Sequence, residues 1–397
     1  MSKNVSFVEA DGPDNVPPGY LGPTPPAGQI PRRGERLWVD RSEQLLHAVE
    51  VLTQFSIVAV DAEFTQNRSH TRGSSSVPRL ALLQLAVDQQ CFIVDALRLS
   101  DLSPLQEVVA HPDITVLLHG AGADLRVMAE RELFVTQYYD LEAACRSVFG
   151  QHESSLATML QRAFNMRLDK SLQRTDWTRR PLPPAMIAYA ARDAEVTLAL
   201  YYWLHEHFYD ILQLHKNTEE HIPVAAWIEP FLRGASTLSP EMAVADALTK
   251  GVLRNKAQVY ADCRAALASL KHPMLRSRLL RLIADLSLVK LAPDLVPLLS
   301  APTADERASC IRALGRLGVK TMRDAIRPLL HDPVYDVRKA AWVALRNLQD
   351  GNEQRRQRLA TTTAADGTRS WVIESSNESA GDTQSNWKSR LRSSMDS

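Results

Sequence analysis

The 397-residue chain has no excess charge of either sign: 46 Lys and Arg stand against 46 Asp and Glu, a formal net charge of zero. No global field would draw such a molecule to a polyanion or an anionic membrane, so any nucleic acid must be gripped by local clusters of cations. A disulfide framework is absent too. Cys91, Cys145, Cys263 and Cys310 lie far apart and form no CxxC pair, which fits a reducing compartment. The opening residues contain no apolar stretch of signal-peptide length, and nowhere do about 18 apolar residues run uninterrupted. The expectation is a cytoplasmic protein without a membrane span. What the chain does have is 45% hydrophobic and 23% charged residues. That composition excludes a wholly disordered, collagenous or coiled-coil protein, and the length suits two domains plus tails.

Proline and glycine crowd residues 12–34 (Pro13, Pro17, Pro18, Pro23, Pro25, Pro26 and Pro31), so residues 1–36 are expected to form a disordered leader. Residues 354–397 are rich in Ser, Thr, Asn, Gln and Arg, with Trp371 and Trp387 as their only large anchors, and are expected to form a disordered polar tail. Between the tails, Ser56-Ile57-Val58-Ala59-Val60, Arg79-Leu80-Ala81-Leu82-Leu83-Gln84-Leu85-Ala86 and Cys91-Phe92-Ile93-Val94 predict three neighbouring strands. Val116-Leu117-Leu118-His119 predicts a fourth. Helical patterns over 102–110, 124–130, 155–164 and 184–209 complete a mixed α/β layer fold.

Beyond about residue 240 the strand signals stop and the chain repeats itself. A shift of 31 lays Leu295-Val296-Pro297-Leu298-Leu299 on Ile326-Arg327-Pro328-Leu329-Leu330, Pro302 on Pro333, Asp305 on Asp336 and Arg307 on Arg338. A two-helix unit of this kind buries its apolar stripe only by stacking on a neighbour. The pattern resembles HEAT repeats, with two clear units and one degenerate unit upstream. It sets a segment 241–353 apart, with a linker expected over 213–240.

Three short patterns carry chemistry. In Val58-Ala59-Val60-Asp61-Ala62-Glu63-Phe64, side chains two apart on a strand share a face, so Asp61 and Glu63 can aim at one point. Alone, such a pair more often ends a strand at the surface. Asp124 falls in the first turn of a helix after the glycine-containing turn His119-Gly120-Ala121-Gly122, where it could equally be a helix start. Tyr189 and Asp193 lie four apart on one helical face, a spacing also common in solvated pairs.

In this order the set resembles the DEDD 3′-5′ exonuclease superfamily, in its tyrosine-bearing branch, and is most similar to ribonuclease D. Arg79 to Leu85, Tyr139-Asp140-Leu141-Glu142-Ala143-Ala144 and Leu168-Asp169-Lys170-Ser171-Leu172-Gln173-Arg174-Thr175-Asp176-Trp177, followed by Arg180-Pro181-Leu182, extend the likeness over residues 37–212. The resemblance implies a ribonuclease H-like α/β domain with a mixed five-stranded sheet and flanking helices, followed by the all-α HEAT-like segment. It also implies two divalent metal ions, Mg²⁺ or Mn²⁺, and hydrolysis of single-stranded 3′ ends to nucleoside 5′-monophosphates. By that likeness Asp61 bridges both metals, Glu63 and Asp193 hold the metal that activates water, Asp124 holds the second, and Tyr189 orients the attacking water. Physics agrees: hard cations need hard oxygen ligands, and two of them about 4 Å apart can clamp the attacking and leaving oxygens of an in-line displacement.

His119, Lys170, Arg174 and Arg180 lie in matching segments and are candidate substrate contacts; Asp140, Gln84 and Trp177 read as scaffold. A second cationic cluster, Arg254, Lys256, Arg264, Lys271, Arg276, Arg278, Arg281 and Lys290, lies in the repeat region, where ribonuclease D carries a different helical type. It leaves RNA, a protein partner or plain scaffold open for the repeats. Single-stranded RNA is the expected substrate. The same chemistry on DNA, and a catalytically silent binding or assembly module, are the alternatives.

Overall fold

The leucine- and valine-rich runs become adjacent strands of one sheet in the computed structural model, which describes residues 19–29, 34–65, 78–168, 171–172, 175–218 and 224–349, and the backbone of 361–363 and 369–371. The strands are β1 (Glu35–Val39), β2 (Ile57–Phe64), β3 (Leu80–Val87), β4 (Gln90–Asp95), β5 (Thr115–Leu118), β6 (Gln137–Asp140) and β7 (Lys216–Thr218), ordered β1-β4-β3-β2-β5-β6-β7. The hairpins β2–β3 and β3–β4 and the edge pair β6–β7 are antiparallel, while β1–β4, β2–β5 and β5–β6 are parallel. The sheet is therefore mixed, as expected, but carries seven strands in place of five. The outermost, β1 and β7, are short: β1 is a five-residue run with only three apolar residues, and β7 is three polar residues.

Helices α1 (Ser42–Leu52), α2 (Gln106–Val109) and α3 (Gly122–Ala129) cover one face of the sheet. Helices α4 (Leu141–Phe149), α5 (Leu156–Phe164), α6 (Pro184–His207) and α7 (Tyr209–Gln213) cover the other. Strand β3 is buried at every position because both faces are covered. Strand β2 divides by the two-residue period: Val58, Val60 and Ala62 join the core under α1 to α3, whereas Ala59 joins the core under α6. That parity puts Asp61 and Glu63 on the α6 side. Pro184 opens α6 at a position where its missing N–H costs nothing, and the helix packs across β2, β3 and β4.

The helical segment comprises α8 (Glu229–Arg233), α9 (Pro240–Thr249), α10 (Lys256–Ser269), α11 (Pro273–Asp285), α12 (Ala292–Leu295), α13 (Ala304–Leu317), α14 (Arg323–Ile326) and α15 (Tyr335–Gln349) around a core of its own. The long helices α11, α13 and α15 start 31 residues apart, so the degenerate upstream unit is a third repeat. Arg276, Arg307 and Arg338 hold the same place in each: every one donates to the carbonyl six residues earlier, at Leu270, Ala301 and Asp332. Arg276 also pairs with Glu306 and Arg307 with Asp332, at 2.8 Å each, which laces each repeat to the next.

Three expectations change. Residues 19–29 of the supposed leader are laid against the folded body: Leu21 N donates to Pro333 O at 2.8 Å, Gly28 N to Ala163 O at 2.7 Å, and Trp203 Nε1 to Pro26 O at 3.3 Å. A Pro/Gly composition forbids a core, but it suits an extended strap over one. The supposed linker 213–240 holds β7 and α8, because Trp227, Ile228 and Leu232 are buried in the helical core. The chain divides after Gln349, and the described part of the supposed tail is an antiparallel pair, β8 (Thr361–Thr363) with β9 (Arg369–Trp371). No helix among the described residues is long and apolar enough to cross a membrane.

Candidate active site

Asp61 and Glu63 stand opposite Gln84 and Leu82 in the β2–β3 register, just before an irregularity between Glu63 and Phe64 ends the regular pairing. Helix α6 brings Asp193 to the same face. One oxygen from each of Asp61, Glu63 and Asp193 lies within 4.8 Å of the other two. Like charges so close raise one another's cost of ionisation, and the low dielectric of a half-buried site adds to it. Burial pushes the Asp61 carboxyl up to about 6. Burial, then Asp61, Asp193 and Asp124 push Glu63 up to about 10. Asp124, buried in the first turn of α3, is pushed up to about 8 by burial, then by Asp61 and Asp140. Asp124 thus stands outside the tight group of three but within its electrostatic field.

The Tyr189 phenol lies one turn before Asp193 and hydrogen-bonds to it, and burial first, then the acidic cluster, drives its pKa upward. It is held as a neutral donor rather than a base. Its ring stands 6.1 Å from that of buried Trp177. Asp61, Glu63, Asp193 and Tyr189 therefore meet at one end of β2, and Asp124 faces them closely enough to act on their charges.

Asp140 builds the turn that presents Asp124. Its carboxylate caps α4, accepting from Glu142 N and Ala143 N, and also accepts from Gly120 N at 3.0 Å and Ala121 N at 3.4 Å. Gly120 has a φ of +79°, and a side chain there would meet the Glu142 carboxylate at 2.9 Å, so the turn requires glycine.

Two expected substrate contacts are corrected. Arg180 directs all five of its N–H donors inward: Nε and Nη2 grip Asp95 at 2.6 Å each, Nη2 also reaches Ala81 O at 3.1 Å, and Nη1 reaches Trp177 O and Arg179 O at 2.8 Å. None remains for a phosphate. Asp95 is a structural residue that the sequence hides, since its partner lies 85 residues away. His119 is half-buried, with Nε2 3.0 Å from Ser154 O and its pKa lowered by burial, and so belongs to the turn. Lys170 and Arg174 lie outside the described residues. In the repeat cluster, Arg264 pairs with Asp294 and Arg276 with Glu306, Arg278 donates to Leu232 O, and Arg281 faces Asp285. Half of that cluster is therefore engaged within the fold.

The residues fit a divalent metal site: three carboxylates whose neighbours and burial disfavour their charge are relieved by a cation between them, and the donors are all hard oxygens.

Comparison with known proteins agrees with this geometry. Residues 37–208 match the 3′-5′ exonuclease family and residues 292–377 the HEAT repeats. The chain is 33% identical over 165 residues to Protein RRP6-like 3 of Arabidopsis thaliana, covering 41% of this chain and 18% of that protein. It is 32% identical over 161 residues to ribonuclease D of Haemophilus influenzae (40% and 39%). With the exosome complex exonuclease RRP6 of Saccharomyces cerevisiae it shares 32% over 168 residues (42% and 22%). The chain thus spans less than half the length of these relatives.

Proposed function

We propose, from the match of residues 37–208 to the 3′-5′ exonuclease family, that the chain is a metal-dependent exoribonuclease that removes nucleoside 5′-monophosphates from single-stranded RNA 3′ ends. The observation that carries this reading is the convergence of Asp61, Glu63 and Asp193 within 4.8 Å. A silent binding module has no use for carboxylates held at such electrostatic cost. RNA is favoured over DNA because the relatives include proteins named ribonuclease D.

Asp61, Glu63, Asp193 and Asp124 would hold two divalent ions, Mg²⁺ or Mn²⁺. Such ions supply positive charge to the developing oxyanions and acidify the attacking water. Tyr189 keeps its proton and points it toward the cluster, so its part is to orient that water rather than to deprotonate it. Trp177 fixes the Tyr189 ring, and the Asp95–Arg180 clamp fixes Trp177 through its carbonyl. Outside the exonuclease domain, the outward faces of the repeats suit a protein partner, since Arg276 and Arg278 turn inward and Arg264 and Arg281 are paired with Asp294 and Asp285 at the surface. The four cysteines are free and buried, which supports a reducing, cytoplasmic setting.

The test is a single-turnover assay on 3′-labelled RNA with Mn²⁺, beside matched DNA and a 3′-blocked RNA. Labelled mononucleotide should leave the free-ended RNA only, and Asp61→Asn should abolish its release. A variant that digests RNA as fast as the parent would remove the metal site from the mechanism.

A further inference from the structure

The repeat array meets the exonuclease domain along one row of helix starts. Asp305 and Asp336 occupy equivalent positions, 31 residues apart, in the first turns of α13 and α15. Asp305 accepts from Ser147 Oγ at 3.0 Å and lies 3.6 Å from Arg146 Nε, both on α4. Asp336 accepts from Gln151 N at 2.7 Å and lies 3.8 Å from His152 Nε2. In the first repeat the same helix end carries His272, whose ring lies 5.5 Å from that of buried His215. The Nε2 of His215 stands 2.8 Å from the same Ser147 Oγ. The second and third repeats therefore contact one short stretch, residues 146–152, and the first reaches it through His215. The fit is close: Gly150, at φ +90°, leaves no room for a side chain, which would meet Val334 at 2.7 Å and the Asp336 carboxylate at 2.8 Å. The strap binds the same place, with Tyr20 N donating to Glu153 at 2.7 Å and Tyr20 bridging to Val334.

The residues flanking that stretch support the turn before Asp124, with Ser154 Oγ donating to Gln151 O at 3.1 Å. Ser154 O contacts His119, and the Asp140 cap of α4 holds the Gly120 and Ala121 amides. The turn runs directly into α3, whose first turn carries Asp124. A continuous series of hydrogen bonds and one rigid helix thus joins the repeats to a metal-site carboxylate, the kind of network through which distant contacts alter a site.

We propose that the repeat array is a built-in brace of the metal site: Asp305 and Asp336 are positioning residues that act through α4 and residues 151–154 to hold Asp124 in reach of the cation. The inference rests on the exonuclease reading and deepens it. Whatever binds or displaces the repeats then changes metal affinity, which makes the array a point of regulation and not only an attachment.

The experiment compares Mn²⁺ binding, by electron paramagnetic resonance titration, in the full chain and in the Asp305→Asn/Asp336→Asn double variant, with melting temperature and KM for RNA measured alongside. The near-isosteric change should weaken Mn²⁺ binding about tenfold, within the range by which residues along a coupling network alter a distant site, and leave KM for RNA within about twofold. Asp336→Glu in place of Asp336→Asn, which keeps the carboxylate charge opposite His152, should restore part of the affinity. Asp285→Asn, at the opposite end of α11, should not change it. Unchanged Mn²⁺ affinity in the double variant, with or without a lower melting temperature, overturns the brace and leaves the exonuclease reading intact. A parent chain that binds no Mn²⁺ overturns both.

Discussion

Asp61 and Glu63 were legible in the sequence because the strand period is two and local: nothing but Val58 to Phe64 is needed to place both carboxylates on one face. Asp193 and Tyr189 were legible for the same reason at helical spacing. That the pairs converge was not legible from spacing alone, and came from the order of motifs in a resembling family. Arg180 shows the opposite case. A cation beside a catalytic motif looks like a phosphate ligand until its partner is known, and Asp95 lies at the end of β4, 85 residues away. Two expectations follow at this scale. Arg180→Ala leaves the Asp95 carboxylate buried without its cation and should cost about 3–5 kcal/mol of stability in chemical denaturation; a loss confined to RNA affinity would return Arg180 to the substrate. Tyr189→Phe keeps the ring against Trp177 but removes the oriented hydroxyl. It should lower kcat between about ten- and a hundredfold with Mn²⁺ affinity unchanged, and an unaltered kcat would take Tyr189 out of the reaction.

Elements whose identity depends on burial were read well, and those that depend on what they lie against were not. Strands β2, β3 and β4 carry their own apolar runs, and the 31-residue period reports α13 and α15 because each repeat makes the same contacts. Strands β1 and β7 are short edge strands, and the strap 19–29 has a composition that by itself says only that it is extended. Tyr20 gives the strap its anchor by packing edge-on against Phe149 at 5.0 Å. The repeat period also has a departure that makes a prediction. Gly315 lies inside α13 where α15 crosses, and a methyl there would sit 2.8 Å from Ala344 Cβ and 3.0 Å from its Cα. Helix propensity alone would make Gly315→Ala stabilising by about 1 kcal/mol. The clash is with backbone, which cannot step aside, so overpacking of about 1–3 kcal/mol should win. The variant is expected to melt lower than the parent, and a higher melting point would mean the two helices can separate at no cost.

At the scale of the molecule the acidic site and the domain interface set opposite limits on stability. His215, its pKa pushed down to about 3 by burial and by His272 and Arg146, favours the folded state while neutral. Its contribution is complete above the unfolded value near 6.5 and is lost as pH falls. The site carboxylates act the other way. Their folded pKa values lie above the unfolded value of about 4, so the folded chain without metal holds protons that the unfolded chain has released, and stability declines as pH rises. Above pH 6.5 the histidines no longer contribute to the slope, and Asp61, at about 6, is nearly spent as well. Asp124 and Glu63, at about 8 and about 10, remain. Each can remove at most about 1.4 kcal/mol per pH unit until its own pKa is reached. In a chelator, the melting temperature should therefore fall steadily from pH 6.5 to 9. Mn²⁺ should raise it by more at pH 8.5 than at pH 6.5, because the cation takes the place of the protons. Glu63→Gln should make the chelator profile shallower, most of all above pH 8 where Asp124 is spent, since the amide does not titrate. A parent profile already flat over that range would mean that the carboxylates are solvated and apart, and with them the case for a shared cation would fail.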